Sequence, residues 1–83
     1  MQLYLVEAFV GGATAVDCAA RAGMARAAAL DAGRKGAAVR FIDWMLVPED
    51  EICFYFFAAG ARADVARVSE HAGLGHDRIV AAI

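Results

Sequence analysis

The chain is poor in the residues that usually carry metal or redox chemistry. Its 83 positions include two cysteines, two histidines, one tryptophan and one proline. Cys18 and Cys53 stand far apart and outside any C-x-x-C spacing, so no disulfide is implied. Both read as small buried hydrophobes in a reduced cytosol. Neither sign of charge dominates. Eight Lys and Arg against ten Asp and Glu give a net charge of −2, and the basic residues are scattered, which leaves no footprint for nucleic acid. No apolar run reaches the roughly 20 residues that cross a bilayer. The chain is nonetheless 61% hydrophobic, and alanine supplies much of that share. MQLYLVEAFV has no basic n-region and no cleavage-like end, so it reads as a strand of a soluble cytoplasmic protein, with neither a secretory signal nor a membrane partner expected. A P-loop, a G-x-G-x-x-G after a strand, an H-E-x-x-H helix and a nucleophile elbow are all missing.

What is present is an alternation of short greasy strands and two helical stretches. The first strand is expected over about Gln2–Phe9, ended by Gly11 and Gly12. Thr14-Ala15-Val16-Asp17 resembles a capping box and opens a first helix that alanine carries to about Asp31, with Gly33 as a stop. A second strand, about Ala38–Val47, and a third, about Glu51–Ala58, flank Pro48-Glu49-Asp50, because proline cannot donate to a ladder. With Glu49-Asp50 at the tip, strict alternation puts Trp44 opposite Tyr55, Leu46 opposite Cys53 and Ile42 opposite Phe57 on one face. Phe41, Asp43, Met45, Ile52, Phe54 and Phe56 then share the other. A second helix is expected over Arg62–His71 and a last strand over Arg78–Ile83. The order βαββαβ predicts one α+β domain, 1–83, of ferredoxin-like topology: a four-stranded antiparallel sheet with both helices on one face.

Helices cover only one side of such a sheet, yet FIDWMLVPEDEICFYFF is apolar on both. A chain of this size also has a marginal core. Leaving the second face wet would exceed the apolar patch of a few hundred Å² usual for monomers. A homodimer packed sheet to sheet, as in dimeric α+β barrels, is therefore expected.

Glu7, Trp44, Tyr55 and His71 are the candidate ligand-binding residues. Glu7 alternates with Leu3, Leu5 and Phe9, where a carboxylate must be paired, solvated or protonated. It could act as a base or a hard metal ligand; the plainer reading is an ion pair with an arginine. Trp44 and Tyr55 could stack on a flat ligand, though aromatic cross-strand neighbours also simply stabilise sheets. His71 and His76 flank a Gly-Leu-Gly loop and could bind nickel, copper or zinc. His71 also suits the negative end of a helix. Asp43 and Arg40 invite the same two readings, as a ligand partner or as a paired or solvated charge.

YLVE near the start, VPEDEICFYFF in the middle and HAGLGHDRIV at the end resemble the small nickel-binding-like proteins common in actinobacteria, most of them domains of unknown function. The resemblance spans nearly the whole chain and implies a ferredoxin-like fold and a dimer, with nickel as a candidate ligand. Glu7 and Asp77-Arg78 match the family pattern. Its histidine positions fall here on Ala8-Phe9-Val10 and on Ser69. The expected function is a small dimeric ligand-binding protein for a divalent metal or a small apolar molecule. The alternative is a cofactor-free oxygenase or cyclase acting on an aromatic or polyketide-like substrate, an analogy that rests on fold alone.

Overall fold

The computed structural model describes residues 1–82. Its elements are β1 (Gln2–Phe9), α1 (Ala15–Arg34), β2 (Val39–Val47), a 3-10 turn (Pro48–Asp50), β3 (Ile52–Ala59), α2 (Arg62–His71) and β4 (Arg78–Ala82). Ile83, the expected end of the last strand, lies outside the described residues. The strands form one antiparallel sheet in the order β2-β3-β1-β4, a ferredoxin-like α+β fold. α1 packs on β2, and α2 lies against β3, β1 and β4.

The expected capping box forms. Thr14 Oγ1 accepts from the Asp17 amide at 3.2 Å, and the Asp17 carboxylate accepts from the Thr14 amide at 2.9 Å. Four amides at a helix start lack intrahelical partners, and the box satisfies two of them while a carboxylate faces the positive helix end. α1 runs to Arg34, past the expected end near Asp31, because Gly33 is accommodated within the last turn. Gly36, at φ +97°, makes the actual exit.

One expectation is overturned in β2. Strict alternation sets Ile42 opposite Phe57 and turns Phe41 to the far face. In the structure Phe41 pairs with Phe57 and Asp43 with Phe56, leaving Ile42 as the extra residue of a β-bulge. Phe41 is consequently buried, whereas Ile42 is 44% exposed. The reason lies in the sequence pattern. Val39 and Phe41 have odd numbers and Trp44 and Leu46 even ones, so all four can face the helices only if one residue between them is skipped. The skip lets Phe41 pack edge-on to Phe57, with ring centroids 5.4 Å apart, beneath the guanidinium of Arg26 at 5.1 Å. Beyond the bulge Trp44–Tyr55 and Leu46–Cys53 pair as expected.

The core lies between sheet and helices, around the fully buried Val6, Cys18, Cys53, Tyr55, Phe57 and Val65. α1 contributes Ala22, Ala25, Ala28 and Ala29, small side chains that let its backbone lie close to β2.

Thr14→Ala should lower stability by about 1 kcal/mol in urea denaturation, and Thr14→Ser should retain most of it. Hydrogen bonds from the Thr14 backbone, then its side chain, hold the Asp17 carboxyl below its ordinary range. A depressed folded pKa gives stability that is present above the ordinary Asp value of 3.8 and lost as pH falls through the folded one. Asp17→Asn should therefore flatten the acid limb of a pH–stability curve.

Candidate functional site

The sequence-chosen residues do not converge; the fold distributes them over three places. Glu7 sits on the sheet face that no helix covers, between Phe54 of β3 and Arg78 of β4. Its Oε2 lies 3.4 Å from Arg78 Nε, the ion pair of the plainer reading. The preceding residue of that motif matters as much: the Asp77 amide donates to the Glu7 carbonyl at 2.9 Å, and Asp77 Oδ2 accepts from the Phe9 amide at 2.6 Å. Asp77 and Arg78 thus clamp the start of β4 onto β1. Asp43, on the same open face, uses its Oδ1 to accept from the Trp44 amide at 2.8 Å.

Trp44 and Tyr55 face the helices as cross-strand partners. Trp44 is half-buried against the core, and Tyr55 is fully enclosed. No hydrogen-bond partner satisfies the Tyr55 hydroxyl. Burial pushes its pKa above the ordinary range, and the Cys53 thiol beside it adds to the rise. Burial likewise raises Cys53 to about 11, with Tyr55 opposing and Cys18 adding to the shift. Both cysteines are free and buried. Ser69 is also buried, and its hydroxyl has no partner among the described residues.

His71 lies elsewhere, exposed at the end of α2. It borders an open cleft of about 630 Å³ between the helices, together with Ala28, Asp31, Lys35, Asp64 and Arg67. These charges are largely self-satisfied. Lys35 Nζ is 3.0 Å from Asp31 Oδ2, and Arg67 pairs with Asp64. The Lys35 hydrogen bond and charge hold the Asp31 carboxyl low, with smaller help from His71 and Arg34. His76 is half-buried in the loop before β4.

Among the described residues, no three of His, Cys, Asp and Glu are grouped so as to hold a metal ion. The donor set of the described residues therefore does not fit a nickel shell, which needs several converging ligands. Two features escaped sequence reasoning. One is a second open groove, of about 700 Å³, beside β2 and lined in part by Arg26, Arg34 and Arg40. The recurrence of Arg26, Leu30 and Arg34 at helical spacing was the available signal. The other is the composition of the uncovered sheet face, where the bulge replaces Phe41 by Ile42. Leu3, Phe9, Ile42 and Met45 are exposed, and Leu5, Val47, Phe54, Phe56 and Val80 are only half-buried. The ring of Phe9 lies so close over Gly11 that a Cβ there would meet it at 2.8 Å.

No protein-family model and no curated protein matches the chain. Among solved structures it is similar to SCO4226 from Streptomyces coelicolor A3(2), with a TM-score of 0.70 and 23% identity over 94% of this chain and 91% of that one. At that identity the likeness shows the fold alone. No helix among the described residues is long and apolar enough to cross a membrane.

With Cys53 raised to about 11, its thiolate fraction at pH 7 is about one part in 10⁴, so the thiol should resist a thiol-reactive dye until the protein is unfolded. A raised folded pKa also means that the contribution to stability is full below the ordinary thiol value of 9.0 and lost as pH climbs towards about 11. Cys53→Ala should weaken that alkaline decline in a pH series of thermal melts.

Proposed function

We propose that the chain acts as a homodimer, packed open sheet face to open sheet face, that binds a small, largely apolar molecule at the interface. The carrying observation is the uncovered face itself, where Leu3, Phe9, Ile42 and Met45 stand exposed around Leu5, Phe54 and Phe56. Burying even ~500 Å² of such surface is worth on the order of 12 kcal/mol gross, against an association cost that consumes part of it. The Glu7–Arg78 pair gives that face a polar group able to orient a ligand. Trp44 and Tyr55, on the other side of the sheet, serve packing in this reading, and His71 belongs to the helix-side cleft.

Nickel, suggested by the family resemblance, would have to gather ligands from both protomers, with Glu7 and Asp43 the carboxylates on the shared face. The oxygenase or cyclase alternative would need a closed apolar cavity with a buried titratable group. The two grooves described above are open, and a closed cavity could instead form between the two sheets.

Native mass spectrometry before and after addition of nickel, with zinc as control, separates these cases. A species of twice 8.7 kDa is expected. Stoichiometric nickel would favour the metal over the apolar ligand. Phe9→Glu combined with Met45→Glu should give a monomer with an unchanged far-UV spectrum, since both side chains are already exposed. A wild-type monomer at tens of micromolar in light scattering would overturn the proposal.

A further inference from the structure

The groove beside β2 has a chemistry that neither the core nor the dimer face explains. Arg26, Leu30 and Arg34 recur every four residues along α1, so they line one stripe of the helix, with about 12 Å between the outer Cα atoms. Arg40 of β2 borders the opposite side. The floor is apolar: Ala29 and Val39 are buried, and the Phe41 ring is held under Arg26. Leu30 stays 58% exposed over this floor, a large apolar side chain that the core leaves uncovered.

Among the described residues the three arginines also make no ion pair. Ion pairs among the described residues join Lys35 to Asp31, Arg67 to Asp64 and Arg78 to Glu7, and none reaches Arg26, Arg34 or Arg40. No Asp or Glu lines the groove, although the chain as a whole carries more acids than bases. A guanidinium presents a planar fork that fits a carboxylate through two parallel hydrogen bonds. Its stacking on Phe41 already restrains Arg26, which reduces the ordering cost of binding. At about 700 Å³ the groove is of a size to hold a small molecule.

We propose that this groove binds a carboxylate with an extended apolar body, of the fatty-acyl class, its head held by the arginines and its chain laid over Leu30 and Phe41. Arg26 and Arg34 hold the helix side of the site, and Arg40, in register with Ala58 and Leu3, reaches it from the open-face side of the β2 edge. Arg34 and Arg40 are exposed and make no ion pair among the described residues, so their replacement is expected to leave the fold intact.

The test is titration of the isotope-labelled full chain with decanoate, kept below its micelle concentration and followed by NMR. Acetate, decanol and decyl phosphate are the comparison probes. Decanoate is expected to shift resonances of Arg26, Leu30, Arg34, Val39 and Phe41. Acetate and decanol should each bind at least tenfold more weakly, as head or tail alone. Arg34→Gln combined with Arg40→Gln should weaken decanoate at least tenfold with an unchanged backbone spectrum. Decyl phosphate binding at least tenfold more tightly than decanoate would overturn the carboxylate assignment. Shifts confined to the open sheet face, equal binding by the double variant, or no shift at millimolar decanoate would overturn the site.

Discussion

Phe41 lies edge-on to Phe57 and under Arg26, and it can do so only because β2 takes an extra residue at Ile42. That one contact sets which side chains of the edge strand meet α1. It fills the core where the alanines of the helix are too small to do so, and it supplies the apolar floor of the groove beside β2. It also turns Ile42 away from the helices. Core, groove and open face are therefore consequences of a single local irregularity, and a straight β2 would exchange their residues wholesale.

The sheet is asymmetric in more than coverage. Towards the helices, polar atoms are few and poorly satisfied: the hydroxyls of Tyr55 and Ser69 are buried without partners, and two thiols sit among them. Such groups cost stability where they stand and gain nothing from solvent. Towards the open side, polar groups are matched within the sheet, Glu7 with Arg78, and Asp43 with a backbone amide. Pairing lowers, but does not remove, the desolvation that burial of these charges would cost.

Much of the architecture was legible in the sequence. Thr14 and Asp17 announced the helix start, Pro48 the turn, and Arg62–His71 appeared at the residues expected, because each signal is local and carries its own stereochemistry. The first half of β2 was not legible under a fixed period of two. A bulge changes the phase of alternation, and the clue was the odd-to-even switch from Val39 and Phe41 to Trp44 and Leu46. The site was less legible still. Alternation assigns Glu7 to a face, but it does not say that this face is the one opposite Trp44 and Tyr55, nor that His71 ends in a cleft behind both. Arg26 and Arg34 drew no reading beyond scattered basic charge, because a groove lined by them and by no Asp or Glu emerges only in three dimensions.

β2 is an edge strand, and among the described residues no further strand pairs with its outer rim of amides and carbonyls. A flat edge of this kind, carrying Phe, Ile, Trp, Met and Leu in close succession, is a template on which further chains could add without limit. The skipped residue at Ile42 kinks that rim, and Arg40 and Asp43 place charges on either side of the kink. The irregularity that fills the core therefore also works as a gatekeeper against fibrous growth, which lets so greasy a ribbon sit at the margin of its sheet.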